Sequence, residues 1–142
     1  MTNLEQAKEI LEQNNDTCVF FDGKNTYTSK ERGVKPLLQM LQNKTDVKDF
    51  SVADKVVGKA AAFLYVLLGV KELYAKVISQ HALAVLQNHN IDVSYGELVE
   101  AIRNRTNTGF CPMETAVLQI EDASEALQAI LEKQKELLAK AD

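Results

Sequence analysis

Leu4, Ala7, Ile10 and Leu11 recur at the three- and four-residue spacing of one helical face, and Asn14, Asn15 and Asp16 halt the run. That pattern predicts an amphipathic first helix. The β-branched and aromatic stretch TCVFF (17–21), a turn at Asp22-Gly23 and a return through TYTS (26–29) predict a hairpin. GVKPLLQML (33–41) reads as a short helix with Pro36 in its first turn, ahead of a polar loop from Asn43 to Asp49. In FSVADKVVGKAAAFLYVLLGV (50–70), Ser51 and Asp54 match the S-x-x-D form of a capping box, which predicts a central helix starting near Ser51. Its later turns are apolar on all sides and require cover all round.

ELYAKVI (72–78) alternates as a strand, and Ser79 can cap a helix that turns Ala82, Leu83, Val85 and Leu86 inward and closes at His89 and Asn90. IDVSY (91–95) predicts another strand, Glu97 to Ile102 a short helical turn, and Arg103 to Cys111 a polar loop. A helical region from Met113 to Ile120 bends near Asp122 into a last amphipathic helix, about 122–140, with Leu127, Ile130, Leu131 and Leu138 inward. The order predicts an α/β sandwich of helices on a sheet.

Composition narrows the class. A chain of 142 residues, 46% hydrophobic, suits one domain with a real core. A formal charge of −4 gives no general attraction to nucleic acid, so any anion must be bound locally. The acidic start MTNLEQAKEILEQ lacks the basic and apolar regions of a secretory signal, and the apolar run from Ala60 to Leu68 is too short to span a membrane. A cytoplasmic protein with no membrane partner is expected. Cys18 and Cys111 then stay thiols, Cys18 as a small core residue.

The candidate chemistry gathers at two places. Lysines in the first turns of the expected central helix oppose its macrodipole, and Lys55 and Lys59, four apart, repel one another. Gly58 between them costs about 1 kcal/mol relative to alanine inside a helix, which close approach of a backbone or a ligand would offset. Lys55, Gly58 and Lys59 would share a face with the free backbone N–H groups, fit for phosphate or carboxylate. The plainer reading leaves both lysines solvated. Asp54 is a cap or a general base. In the loop RNRTNTGFCPME (103–114), Asn104 is a candidate ligand contact, and the plainer reading makes Arg103 and Arg105 solvated charges. Cys111, just before Pro112, is a thiol at a helix start, where low pKa is favoured, and a candidate nucleophile. Glu114 is a cap or an acid–base group. His81 and His89 suit structural roles, and the chain offers no three-ligand metal set at zinc spacing, so neither metal nor cofactor is expected.

The segments DGKNTYTSKERGVKPLL, VADKVVGKAAA, AKVIS and NRTNTGFCPMET, in that order, resemble domain of unknown function family 1893 over roughly Leu4 to Leu118. The resemblance implies a cytidine-deaminase-like, three-layer α/β/α fold with a mixed sheet of about four to five strands. Its central helix starts beside the sheet and carries active-site residues in its first turn. Zinc-dependent deaminases hold a His or Cys ligand two positions before a proton-shuttling Glu there, and a P-C-x-x-C pair opens the following helix. The corresponding turns here are Val52-Ala53-Asp54 and Ser79-Gln80-His81, which lack those ligands. Zinc-dependent deamination is not expected, and Ser79 joins the candidate ligand-binding residues.

Two functions from different classes follow. One is a binding or regulatory module that holds a small anionic or nucleotide-like ligand with Lys55, Gly58, Lys59, Ser79, Asn104 and Glu114. The other is a metal-independent enzyme using Cys111, Asp54 or Lys55 in the chemistry. A homodimer through the hairpin face or the last helix is compatible with either.

Overall fold

The computed structural model describes residues 1–31, 33–102 and 111–141. Helix α1 (Asn3–Asn14) begins where the Thr2 hydroxyl accepts a hydrogen bond from the Glu5 amide (3.1 Å) and ends at Asn15 in the left-handed region, φ 54°. Ala7 and Leu11 are its buried face. Strands β1 (Cys18–Phe21) and β2 (Thr26–Ser29) form the expected hairpin. The Asp22 carboxylate fixes its turn by accepting from the amides of Lys24 (2.8 Å) and Asn25 (2.6 Å). Helix α2 (Lys35–Gln42) carries Pro36 in its first turn, as predicted.

The central segment departs from expectation. Ser51–Val57 is a strand, β3, and helix α3 runs only over Lys59–Leu68, with Gly58 as its N-cap. The Ser51 hydroxyl donates to the Glu72 carboxylate (2.6 Å) and caps no helix. Pairing decides the matter: β3 is antiparallel to β1 on one side and parallel to β4 (Glu72–Ser79) on the other. A strand flanked on both sides and buried on both faces reads as a continuous apolar run, which periodicity cannot separate from a buried helix. The S-x-x-D signal is weak against two ladders of backbone hydrogen bonds.

Helix α4 (Gln80–Asn88) starts at Ser79, whose hydroxyl accepts from the Ala82 amide (3.1 Å). Strand β5 (Asp92–Val99) extends past the predicted end and replaces the helical turn expected from Glu97, because Glu97, Leu98 and Val99 pair with Val77, Ile78 and Ser79 of β4. Helices α5 (Pro112–Val117) and α6 (Ala123–Ala141) complete the order; the helix expected to reach Ile120 ends at Val117, and Asp122 stands just before α6, its carboxylate accepting from the Glu125 amide (3.0 Å). Ile130 of α6 is buried as predicted, but Leu138 is exposed.

The five strands form one mixed sheet in the order β2-β1-β3-β4-β5. Helix α1 packs on β1, β3 and β4 through a cluster of Ala7, Leu11, Val19 and Ala53. A larger cluster around α3, with α2, α4, α5 and α6 against that helix, forms the other layer. The all-round cover that an apolar helix needs is therefore met. Among the described residues no helix is long and apolar enough to cross a membrane.

Candidate functional site

The break between β3 and α3 opens one wall of a cleft of about 760 Å³. Asp54, Lys55, Val56, Gly58, Ala60 and Ala61 line that wall. Cys111, Pro112, Met113 and Glu114 face them from the start of α5, with Thr17 and Cys18 of the β1 region, Val34 and Leu37 near α2, and Gln134 and Leu137 of α6. The volume falls in the range of small-molecule sites.

Glu114 holds the N-terminus of α3. Its Oε1 accepts from the Lys59 amide (2.8 Å) and its Oε2 from the Ala60 amide (2.9 Å). The expected anion site at this helix start thus carries an anion of the protein itself, where free N–H groups and macrodipole both favour negative charge. Gly58 makes room: a Cβ there would overlap the Glu114 carboxylate. Glycine is not inside a helix at all, so no interior helix penalty arises.

Asp54 lies at the cleft floor, nearly out of solvent. Its Oδ2 accepts from the Tyr65 hydroxyl at 2.5 Å and its Oδ1 from the Val56 amide at 3.2 Å. Burial raises its pKa to about 7, against the opposing pull of those two donors. Burial and the neighbouring Asp54 charge push the Tyr65 hydroxyl well up, and burial together with Asp54 and Asp16 raises the Cys18 thiol. Cys18 stands directly across from Asp54 in the β1–β3 register. Asp54 is therefore no helix cap.

The lysines part company. Lys55, half-buried on β3, lines the cleft while its Nζ donates to the Asn15 side chain at the end of α1. Lys59 does not line it. The Lys59 side chain is buried, its Nζ donating to the Leu118 carbonyl (3.0 Å) and pairing with Glu121 at 3.7 Å. A strand and a helix meeting at Gly58 send the two side chains in different directions, so they share no face and do not repel as an i,i+4 pair. Lys59 is corrected from ligand contact to a clamp on the α5–α6 junction.

The structure thus brings together Asp54, Lys55, Gly58, Cys111 and Glu114 from two separate stretches of chain. Ser79 is corrected as well: it is fully buried, engaged in capping α4, and absent from the cleft wall. Asn104, with Arg103 and Arg105, lies outside the described residues. Tyr65 and Cys18, partners of Asp54, escaped sequence reasoning. Reading β3 as a strand would have exposed both, since strand pairing sets Cys18 opposite Asp54 and the following helix brings Tyr65 back over it.

Among the described residues no cluster of three or more His, Cys, Asp or Glu is placed to hold a metal. The first turns of α3 (Lys59-Ala60-Ala61) and α4 (Gln80-His81-Ala82) present no cysteine, and the Glu114 carboxylate is taken by backbone amides.

Comparison with known proteins places these features in company. Residues 6–134 match the family described as domain of unknown function DUF1893. The chain is similar to a DUF1893 family protein from Thermotoga maritima whose crystal structure superposes with a TM-score of 0.86 at 29% identity, covering 92% of this chain and 89% of that one. No curated protein matches.

Proposed function

Because the chain belongs to the DUF1893 family, which carries no assigned activity, we propose its function from the cleft: it binds a small nucleotide-like molecule. The observation that carries this reading is the composition of the wall. Val34, Leu37, Ala60, Ala61 and Met113 offer an apolar surface for a planar ring, and the Asp54 carboxyl offers an acceptor for a ring N–H group. Lys55 and Lys35 stand on the same cleft to meet an anionic group. The turn that the resemblance sets as the active-site turn, Val52-Ala53-Asp54, lies on β3, and the helix starts only at Lys59, so the cytidine-deaminase-like label rests on the resemblance alone. Two free thiols suit a reducing, cytoplasmic setting.

Asp54 favours a second reading, a metal-independent enzyme. A carboxyl with a pKa about 7 on a cleft floor is suited to give and take a proton near neutrality. Cys111 faces the same space, as a nucleophile or as a plain wall residue.

Calorimetric titration with nucleosides, nucleoside 5′-monophosphates and inorganic phosphate tests the proposal. The monophosphates are expected to bind more tightly than the nucleosides, and Lys55→Ala to remove roughly 1.5–3 kcal/mol of that preference. Failure of every nucleoside and nucleotide to bind at millimolar concentration, or affinities indifferent to both Lys55→Ala and Asp54→Asn, overturns it. Turnover of a bound nucleotide that Asp54→Asn abolishes, with binding retained, selects the enzyme reading.

A further inference from the structure

The sheet ends on two strands of different character. Strand β2 is four residues long and is flanked by Lys24 and Lys30. Strand β5 is eight residues long, contains no lysine, arginine or proline, and presents Tyr95 at 42% and Leu98 at 39% exposure. Its outer edge has no strand partner among the described residues. Gly96 keeps the strand flush with its neighbour, since a Cβ there would press on the Lys76 carbonyl at 2.9 Å. Proteins ordinarily protect a long edge with charge, proline or a bulge. This edge carries Asp92 and Glu97 alone.

Those two charges discriminate among the registers in which a second copy of the strand can pair. Two copies of one strand pairing antiparallel about a twofold axis must set residues of equal backbone orientation opposite each other, so the axis passes through a residue. An axis at Glu97 stacks that residue on its own copy. An axis at Gly96 brings Asp92 against Glu100 and centres the pair on glycine. An axis at Ser94 leaves Glu97, Leu98 and Val99 beyond the partner strand. With the axis at Tyr95, Asp92 faces Leu98, Val93 faces Glu97, and Tyr95 meets its own copy. Every carboxylate then stands opposite an uncharged side chain, and an aromatic pair sits at the centre.

We infer that β5 is the interface through which two copies of this chain associate, antiparallel and with Tyr95 on the twofold axis, to make one continuous sheet across the dimer. This surface differs from the hairpin face and the last helix, the two places the sequence suggests.

Light scattering of the purified chain over a range from low micromolar to hundreds of micromolar tests association, and paired variants test the register. The dimer mass is expected for the parent. Leu98→Glu, which sets a carboxylate against Asp92 of the other copy twice over, is expected to give the monomer mass, whereas Leu98→Lys is expected to keep the dimer. In a Cys111→Ser background, oxidation of Tyr95→Cys is expected to give a covalent dimer, since facing Cα atoms stand about 4.5–5.5 Å apart. Ser94→Cys is expected to give none, because Ser94 faces Gly96. Circular dichroism confirms that each variant is folded. A parent that stays monomeric throughout overturns the inference, as does a dimer indifferent to Leu98→Glu or cross-linking by Ser94→Cys as readily as by Tyr95→Cys.

Discussion

Gly58 has φ −101° and ψ −180°, a conformation open to any residue, so the freedom of glycine is not what this position uses. It uses the missing side chain. Glu114 fills the space a Cβ would take and caps α3 with both oxygens. Gly58→Ala therefore acts by expelling a cap rather than by straining the backbone. The expected cost is about 1–3 kcal/mol, the scale of lost hydrogen bonds to a charged group, and Glu114→Ala should cost about as much. Combined, the two changes should cost far less than their sum, because each removes the same interaction. Urea unfolding of the four proteins measures the coupling; additive costs would mean that the two residues act independently. Glycine between two lysines was legible as unusual, but its partner was not, since nothing local pairs position 58 with position 114.

At the scale of elements, the apolar helix and both hairpin strands follow from hydrophobic spacing, whereas β3 does not. SVADKVV has the caps and charges of a helix start, and only β1 and β4, brought in from elsewhere in the chain, make it a strand. The error moved Lys59 onto a ligand face. In its observed place Lys59 ties α3 to the end of α5 and the approach to α6, with Leu118 and Glu121 as acceptors. Lys59→Met keeps the aliphatic stem but loses the charge-assisted contact with the Leu118 carbonyl, and is expected to lower stability by about 1–2 kcal/mol. Nucleotide affinity should not change, because the ammonium faces away from the cleft. Thermal unfolding and titration of one variant separate these effects, and a weakened ligand with unchanged stability would return Lys59 to the site.

For the whole molecule, the buried Asp54 makes stability depend on pH. Its folded pKa of about 7 lies above the unfolded value near 4, so the folded state holds this proton more tightly. The protonated group's advantage is complete below pH 4 and is lost as pH rises toward 7, when a buried carboxylate must ionise. This group alone should make the protein roughly 2–4 kcal/mol less stable at pH 8 than at pH 4, other carboxylates contributing in the opposite sense. Asp54→Asn, whose amide can donate to the Tyr65 oxygen and accept from Val56, should remove that dependence and be the more stable form at pH 8. Chemical denaturation at a series of pH values checks it, and parallel curves for parent and variant would contradict it. The acid's identity was visible in the sequence. Its burial was not, because burial is a property of the sheet, α3 and the cleft together.

Glu114 also bears on the order in which the chain assembles and reopens. The Lys59 and Ala60 amides open α3, yet the group that satisfies them arrives from α5, so local helix formation leaves them unpaired until that short helix docks. Their protection from hydrogen exchange therefore measures the docking of α5. Amides in the middle of α3 require the core itself to open, which makes the same helix report two separate free energies. The exchange of the first two α3 amides thus reads the hold of Glu114 on the helix start, apart from the opening of the core.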